Sequence, residues 1–473
     1  MTDYGSMYER VKDKPCKLGS LNVEGLKRTK EAVVERELAG LKDASTLEEL
    51  KDVLLSATDA LKNLDIFDVV EVQMHPGQRG DDKDILDTAD INVELHESNM
   101  LQFHAGSYVN QSSEGSLEAS LAVRNYFGRA EQIDASAEAG VHKSNSYSLA
   151  YSQPRWLGTH NQSQVRIFQA VTNEQRHSSF TETLRGGAFT VTSSDGQHKF
   201  SLDGGWQEIA DRSCMASPQV RQQMGHRLRG SVKYVWSEQY MVEEPGVPDE
   251  LSIQLGIKSE TQIGVAPIGG AVGFAKQVLA GMVRLPTSET SDLMFAGKIG
   301  LLAPLGDKSG TRPSCITDRF FLGGVNSLRG FRPHGIGPID ERRRPESKGT
   351  KPDVANKGQS PGVPTSMDDA LGGDLVCSFL AEYNFQLPHK VLEAFSIKGH
   401  MFVNAGNTIL LGGGAMQEKL QELASTFRYT VGIGAFLPTP VGRFEMNYCK
   451  VLSSQPNDRP KHGLQFGFMT DIL

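Results

Sequence analysis

The sequence predicts a membrane protein of mainly β-structure, a 16-stranded transmembrane antiparallel β-barrel preceded by one small α+β domain. The first observation is a change of pattern. Residues 1–98 show helical spacing of apolar residues, whereas apolar and polar residues alternate with period two from residue 99 onward. The second is length, because the alternating segments run for about ten residues between turns, as barrel strands do. The third is that no stretch approaches the roughly 20 apolar residues of a spanning helix.

The first 98 residues predict a small sheet with helices on one face. The order strand, helix, helix, strand, strand is read from residues 16–26, 27–41, 45–61, 68–74 and 89–95. Ser45-Thr-Leu-Glu48 matches a capping box, in which Ser45 caps the second helix and Glu48 reaches back. This order is typical of an α+β domain.

Sixteen alternating segments follow this domain. They begin near residues 99, 115, 129, 145, 162, 180, 197, 226, 250, 269, 292, 372, 396, 427, 442 and 461. An even number of strands is typical of antiparallel outer-membrane barrels. A soluble β-sandwich is the alternative, but a sandwich of this length usually splits into domains joined by linkers, and the sequence shows none. Mean hydropathy of −0.35 is compatible with a barrel, because lumen-facing polar residues offset the lipid-facing ones.

Charge and cysteine content exclude several function classes. Residues 1–98 carry 13 Lys+Arg against 22 Asp+Glu, and the remainder carries 36 against 35, so the protein lacks the basic character of a nucleic-acid-binding protein. The five cysteines are scattered and have no Cys/His spacing, which supports neither a metal site nor a disulfide framework. They are Cys16, Cys214, Cys315, Cys377 and Cys449.

The N-terminus lacks the apolar core of a secretory signal and is too acidic for an Arg/Ser-rich transit peptide. A bacterial outer-membrane barrel is made with such a signal, whereas an organelle barrel imported from the cytosol need not be. The sequence therefore predicts an organelle barrel.

A long interruption, residues 305–371, separates the eleventh and twelfth predicted strands and is therefore expected to be functional or disordered. Within it, Arg342-Arg343-Arg344 is predicted to be a solvated loop. Residues 318–331 differ, because they are compact, aromatic and rich in glycine.

This compact segment resembles a known motif. Phe321-Leu-Gly-Gly-x-x-Ser-Leu-Arg329-Gly330-Phe331 is similar to the lid-loop motif of the barrel-assembly superfamily. That superfamily includes bacterial BAM barrels, two-partner secretion exporters, a chloroplast envelope channel and the mitochondrial SAM barrel subunit. Residues 372–388 and 401–406 resemble the strands that follow the lid loop. The resemblance covers the whole chain and is strongest over residues 318–473.

The resemblance implies a site made by the lid loop and the lumen wall. Its lid-loop residues are Gly323, Gly324, Leu328, Arg329, Gly330 and Phe331, and its wall partners are Asp374, Glu382 and Asn404. Alternation places Glu382 on the lumen face of its strand, where a guanidinium can contact it in bidentate fashion. Superfamily members often have an aspartate at the position of Asn404, so Arg329 has one negative partner fewer here.

Both ends of the chain add to the resemblance. Residues 1–98 resemble a single POTRA domain, whose N-x-F-x-x-V phrase is echoed by Leu64-Asp-Ile-Phe67-Asp-Val-Val70. Lys461-x-Gly463-x-x-Phe466-x-Phe468 fits the β-signal of mitochondrial barrel precursors.

The resemblance also implies a lateral gate where the first and last strands meet. Gly106 and Gly463 lack side chains that could pack across this seam, so it is expected to open more easily than its neighbours. The predicted gate residues are Leu101, Phe103, Gly106, Lys461, Gly463, Phe466 and Phe468.

The function implied is that of the core subunit of the mitochondrial sorting and assembly machinery, which folds and inserts β-barrel precursors by strand templating at this seam. Its expected partners are barrel precursors, peripheral metaxin-like subunits, membrane lipid and an inner-membrane organising complex, with no nucleic acid. The expected location is the mitochondrial outer membrane, with the N-terminal domain in the intermembrane space. No cofactor, metal or enzymatic activity is expected.

Three competing functions are considered. A chloroplast envelope translocation channel of the same superfamily would more often carry several POTRA-like domains. A metabolite porin would have uniformly short loops, which disagrees with the long lid loop. An outer-membrane lipase would need a nucleophile and a base in mutual reach, and the sequence shows no convincing Ser/His pair.

Overall fold

The fold was analysed in a computed structural model. It describes residues 15–77, 88–109, 115–242, 252–268, 273–305, 313–344, 363–389, 392, 394–412, 415–439 and 442–469. Within these ranges, no helix is both long enough and apolar enough to cross a membrane.

The N-terminal part is a three-stranded sheet covered by two helices. Its elements are β1 (Lys17–Glu24), α1 (Glu31–Glu37), α2 (Leu47–Lys62), β2 (Phe67–Pro76) and β3 (Thr88–Glu97), with a 3₁₀ turn at Ala39–Lys42. Strand β3 lies in the middle, parallel to β1 and antiparallel to β2. Leucines of α2 pack with Ile91, Val93 and Leu95 of β3 in one core cluster. The order of elements agrees with the α+β prediction.

The start of α2 corrects the predicted capping box by one residue. Thr46, and not Ser45, is the N-cap, and its hydroxyl accepts a hydrogen bond from the Glu49 amide at 3.2 Å. Glu49, three residues after Thr46, takes the place of Glu48, and its carboxylate accepts from the amide of Ser45, the residue before the cap, at 2.9 Å. Both four-residue windows fit the capping-box pattern. Leu50, in the first turn of this helix, is buried in the core.

Beyond β3 the chain forms a 16-stranded antiparallel sheet, as predicted, and every strand begins within four residues of its predicted position. The strands are β4 (Leu101–Val109), β5 (Gly115–Arg124), β6 (Gln132–Gly140), β7 (Asn145–Gln153), β8 (Gln162–Asn173), β9 (Thr181–Thr192), β10 (His198–Ala210), β11 (Gly225–Val242), β12 (Ile253–Ile268), β13 (Gly273–Ser288), β14 (Ser291–Leu305), then a separate hairpin of β15 (Ile339–Arg344) and β16 (Val363–Ala370), and finally β17 (Leu375–Gln386), β18 (Lys398–Ile409), β19 (Arg428–Thr439), β20 (Gly442–Ser453) and β21 (Gly463–Met469).

Neighbours in the chain are neighbours in the sheet, except that β14 pairs with β17 across the hairpin. Among the described residues, connections between the strands of this sheet contain short helices. They are α3 (Gln175–Ser178), α4 (Pro218–Arg221) and α5 (Met416–Ser425), and 3₁₀ turns occur at Trp156–Gly158 and Ile316–Asp318. The strand order begins with β21 and ends with β4, so the last and first strands occupy its two end positions.

The large sheet is apolar on its outer face and polar on its inner face. In β20, for example, the outward side chains Phe444, Met446 and Tyr448 are 46–59% exposed. The inward side chains Glu445 and Asn447 on the same strand are buried. This arrangement is the reverse of that in a water-soluble protein and is typical of a strand that faces lipid.

The chain divides into two compact units. One comprises Met1–Ala105, Ala119–Ser136 and Leu149–Val165, and the other comprises Gly106–Glu118, Ala137–Ser148 and Arg166–Leu473. The first unit therefore contains the N-terminal domain together with two strand connections, one between β5 and β6 and one between β7 and β8.

In the first unit, the β5–β6 connection closes on the segment between β1 and α1. The buried Asn125 donates to the Thr29 hydroxyl at 2.8 Å, and its amide oxygen accepts from the Ala130 amide at 3.0 Å. The Lys30 amide donates to the Gly128 carbonyl at 3.0 Å. Gly128 has a φ of +76°, and a Cβ there would lie 2.3 Å from a backbone oxygen, so this position requires glycine.

Two carboxylates complete this junction. Glu97 accepts from the amides of Lys27, Arg28 and Thr29 at 2.8–3.0 Å. Burial acts to raise the pKa of Glu97, but these hydrogen bonds outweigh it and lower the pKa to about 2. The buried carboxylate of Glu37 in α1 receives two hydrogen bonds of 2.6 Å from the Arg155 guanidinium.

Candidate functional site: the lid loop and the inner wall

Of the lid loop, residues 305–371, the structure describes residues 313–344 and 363–371, and these lie against the inner face of the large sheet. Isolated bridges pair Phe320 with Gly373 and Leu322 with Ile336. Its apolar residues pack in one buried cluster with residues of β13, β14 and β17. The cluster comprises Phe274, Leu302, Phe320, Leu322, Leu328, Phe331, Ile336 and Val376. The lid-loop motif is therefore a packed element of the interior.

The glycines of the motif have specific backbone roles. Gly323, Gly324 and Gly330 have φ values of +114°, +99° and +89°, a region that favours glycine. A Cβ on Gly330 would lie 2.5 Å from the Thr430 side chain of β19. The loop backbone can lie this close to the wall only because residue 330 has no side chain.

Arg329 is fully buried and binds two carboxylates of the wall. Its Nε and Nη2 donate to Glu445 of β20 at 2.9 and 2.8 Å, which makes a bidentate pair. Its Nη2 also lies 3.2 Å from an oxygen of Glu382 of β17. The guanidinium carbon lies 4.7 Å from the ring centroid of Phe402, a cation–π contact. Salt bridges therefore join the lid loop to the wall.

Arg443 and His400 complete the charge network. Arg443 donates to both oxygens of Glu382, at 2.8 and 3.1 Å, and its Nε lies 2.6 Å from Glu445. His400 Nδ1 lies 3.2 Å from Glu382, and its Nε2 lies 2.5 Å from the Asn447 side chain. Two buried acids are therefore balanced by two arginines, as buried charges require.

The three predicted wall partners occupy different places. Glu382 lies within ion-pair distance of Arg329. Asp374 instead binds the start of the lid loop, because the Ser314 hydroxyl donates to it, and it also accepts from the Leu411 amide at 3.1 Å. Asn404 is buried, and its amide oxygen has no hydrogen-bond partner among the described residues.

Glu445, Arg443 and His400 were not among the predicted site residues. Period-two alternation could have indicated Glu445, since it lies between the outward-facing Phe444 and Met446. An acid at an inward position of a strand is the same pattern that identified Glu382. The pairing of Arg443 with Glu382 depends on three-dimensional packing between β20 and β17, which alternation does not predict.

The arginine run of the lid loop corrects another expectation. Arg342 is buried rather than solvated, and its Nε donates to the buried Asp369 at 2.7 Å. Asp369 also accepts from the Ser179 hydroxyl at 2.6 Å and the Ser217 amide at 2.8 Å. This pair therefore ties the β15–β16 hairpin to the connections that contain α3 and α4.

Comparison with known proteins identifies the family. The model of the Omp85 superfamily domain matches residues 125–471. The chain belongs to the Omp85 superfamily. It is 29% identical to the human sorting and assembly machinery component 50 homolog over 97% of this chain and 91% of that protein. It is 24% identical to a SAM50-like protein of Schizosaccharomyces pombe, again over 97% and 91%.

Solved structures confirm the predicted fold of this Omp85 protein. BamA from Haemophilus ducreyi lacking POTRA domains 1–3 superimposes with a TM-score of 0.69 at 15% identity, over 96% of this chain and 84% of that one. The likeness at this identity concerns the fold alone. The predicted 16-stranded barrel with an N-terminal domain is therefore confirmed.

The last strand of the Omp85 barrel contacts the lid loop directly. The Gly330 amide donates to the Gln465 side chain at 3.0 Å, and its carbonyl accepts from the Lys461 amide at 2.8 Å. A Cβ on Gly467 would lie within 2.7 Å of Val325, which shows how close the loop approaches β21.

The remaining predicted gate residues lie on the two end strands of the sheet order. Leu101 and Phe103 of β4 are 55% and 70% exposed, and Phe466 of β21 is 70% exposed. Phe468 is buried and packs on Phe444, with 4.6 Å between the two ring centroids. Side chains added at Gly106 or Gly463 would meet no atom within 4 Å, so neither glycine is required by close packing.

Proposed function

We propose that this chain is the core subunit of the mitochondrial sorting and assembly machinery, and that it folds and inserts β-barrel precursors into the outer membrane. The observation that carries the proposal is the likeness to sorting and assembly machinery component 50 homologs over 97% of the chain. The same likeness favours this function over a chloroplast translocation channel or a metabolite porin.

The proposed mechanism is strand templating between β4 and β21. An edge strand in lipid exposes backbone groups that water cannot satisfy, so an edge that opens is best paired at once with another strand. A precursor strand can pair with the opened edge by β-augmentation.

The lid loop supports this mechanism from inside the barrel. Its Gly330 binds both Lys461 and Gln465, within the segment that resembles a β-signal. Arg329, next to it, is fixed to Glu445 of β20. We infer that the lid loop holds the last strand in register while the seam is closed, with Arg329 and Glu382 as its positioning residues and Asp374 binding Ser314 of the loop.

The proposed partners are barrel precursors, peripheral metaxin-like subunits, membrane lipid and an inner-membrane organising complex. The N-terminal domain is proposed to face the intermembrane space. Protease added to intact mitochondria should then leave residues 15–97 uncut, and rupture of the outer membrane should make them accessible. Cleavage of this segment while the membrane is intact contradicts the orientation.

Seam opening is tested by cross-linking. In a chain without its native cysteines, one cysteine replaces Leu101 or Phe103 and a second replaces Leu464 or Phe466. A disulfide between β4 and β21 should block insertion of a newly imported barrel precursor, and reduction should restore it.

The matched control joins two strands away from the seam. Val232 of β11 and Ile263 of β12 are directly opposite and exposed, so the pair Val232→Cys and Ile263→Cys should cross-link without affecting insertion. Normal insertion with the seam fully cross-linked means that the seam is not the route. Equal inhibition by both disulfides means that the assay reports barrel rigidity instead.

A further inference from the structure

Strands β14 and β17–β20 form a concave region on the outer face of the barrel, with a volume of about 540 Å³. Its side chains form two rows across the strands. One row consists of Ala381, Val403, Val431 and Lys450, which are directly opposite one another in successive strands. The parallel row consists of Tyr383, Met401, Ile433 and Tyr448.

The concavity follows from side-chain size. The first row has small side chains at Ala381, Val403 and Val431, whereas the second row has larger ones, namely two tyrosines, a methionine and an isoleucine. On the opposite side stand Phe379 and Tyr429, which face outward on β17 and β19 and are 46% and 44% exposed. The alanine and the two valines therefore form the floor of an apolar groove that crosses four strands.

Lys450 lies at one end of this groove and is a charged residue on an otherwise apolar surface. It is the one charged residue at the described outward positions of β17–β20, and its strand neighbours on that face, Tyr448 and Leu452, are 59% and 58% exposed. No carboxylate pairs with it among the residues that the structure describes. A lysine on a lipid-facing barrel surface is strongly destabilising at the bilayer midplane and only slightly so near the interface.

Along the groove, charged and apolar residues lie at the same membrane depths as the headgroup and acyl chains of a phospholipid. Lys450 lies three residues before the end of β20 at Ser453, or roughly 10 Å along the strand, so its ammonium can reach the headgroup level. Ala381 and Val403, at the other end of the floor, lie near the middle of their 12-residue strands. The groove thus runs from a cation near the interface to apolar residues in the membrane interior.

We propose that this groove binds one anionic phospholipid, with its phosphate on Lys450 and an acyl chain along Val431, Val403 and Ala381. The phosphate supplies the negative charge that Lys450 lacks within the chain. The apolar floor accepts the acyl chain without exposing polar groups. The proposal depends on the barrel fold and not on the assembly function, so the two can fail separately.

The test uses the full-length protein in vesicles of phosphatidylcholine, with and without added phosphatidylglycerol carrying a photoreactive diazirine on its acyl chain. After illumination, peptide mass spectrometry locates the adducts. Adducts should concentrate on the segments around Met401 and Val431. Lys450→Leu should reduce them at least about fivefold, and Val403→Trp, which fills the floor, should reduce them with Lys450 intact.

Two comparisons make the result decisive. Lys143→Leu removes the same charge from an exposed turn between β6 and β7, so it should leave the adducts unchanged. A photoreactive phosphatidylcholine at equal density should label the groove no more than the rest of the barrel.

Equal labelling by both lipids, or labelling that survives Lys450→Leu, overturns the proposal. Absence of lipid adducts from the groove of the folded protein overturns it as well. On a gel, each variant should migrate differently before and after heating, as a folded barrel does. This control shows that loss of labelling is not caused by unfolding.

Discussion

Two loops of this protein are fixed by charge, and they are fixed in different ways. In the N-terminal unit, Glu97 is held mainly by backbone amides of residues 27–29. In the lid loop, Arg329 is held by the side chains of Glu445 and Glu382. Backbone donors remain when side chains are changed, whereas the lid-loop network depends on each of its members. A side-chain change at residues 27–29 therefore leaves these amide contacts with Glu97 in place, whereas a change at any member of the lid-loop network breaks contacts of that network.

Burial strengthens this contrast. The side chains of Arg329, Glu382 and Glu445 are all 0% exposed. Removing one member of such a network leaves an uncompensated charge away from water, which costs far more than the loss of a surface pair. The N-terminal anchors retain some access to solvent, since the Arg28 and Arg155 side chains are 33% and 15% exposed.

The largest effect is expected from Arg329→Ala. Glu382 and Glu445 would then share Arg443 as the one arginine of the network, so the barrel should lose about 3–5 kcal/mol of unfolding free energy. Unfolding in urea from lipid vesicles measures this loss. Arg332→Ala removes an exposed arginine from the same loop and should change stability by less than about 0.5 kcal/mol. Equal effects of the two substitutions would contradict a buried network.

A double-mutant cycle sharpens this prediction. Because Arg329 makes a bidentate pair with Glu445 and a single longer contact with Glu382, its coupling energy with Glu445 should be the larger. Paired Arg329→Ala and Glu445→Ala changes, compared with Arg329→Ala and Glu382→Ala, provide the two values. Additive losses in both cycles would show that the contacts do not stabilise the fold.

The sequence predicted the sheet far better than the charge network. Period-two alternation located all 16 strands, because each strand has one face toward lipid and one toward the interior. The lid-loop motif identified Arg329, and alternation identified Glu382. Pairing between strands that are distant in the sequence, such as Arg443 with Glu382, depends on how side chains meet in the interior, and no local pattern encodes it.

The two corrections concern local patterns that fit more than one structure. Ser45 and Thr46 are both residue types that cap helices, and each is followed three residues later by a glutamate, so the pattern fits either start. The run at Arg342 is polar, as a solvated loop would be, but Arg342 meets Asp369, 27 residues away. Local composition cannot distinguish a solvated arginine from one with a distant partner.

A smaller effect is expected at the junction of the N-terminal domain. Arg155→Ala should remove both hydrogen bonds to Glu37 and leave that buried carboxylate unpaired, at a cost of about 1–3 kcal/mol in local stability. Hydrogen exchange of α1 amides in the full chain should accelerate accordingly. Arg129→Ala, an exposed arginine of the β5–β6 connection, is the matched control. Unchanged exchange in α1 would show that the pair is not an anchor.

Glu97 should make the same junction sensitive to acid. Its pKa is lowered to about 2 in the fold from an ordinary value of 4.5, so its contribution is complete above pH 4.5 and is lost as the pH falls toward 2. Exchange of the Lys27, Arg28 and Thr29 amides should therefore accelerate over this window. Glu97→Gln should show fast exchange already at neutral pH and little further change. Glu71→Gln, at an exposed position of β2, should retain the wild-type profile.

The smallest effect is expected at Asn404, although it lies beside the lid-loop network. Asn404 and Arg329 both border a cavity of about 120 Å³, and the Asn404 amide oxygen and the Arg329 Nη1 have no hydrogen-bond partner among the described residues. Because Asn404→Ala breaks no observed hydrogen bond, it should cost less than about 1 kcal/mol. The change is measured by the same urea unfolding as Arg329→Ala. A loss of stability as large as that of Arg329→Ala would show that Asn404 is a full member of the network. The side-chain anchor of the lid loop would then include an uncharged residue as well as the charged ones.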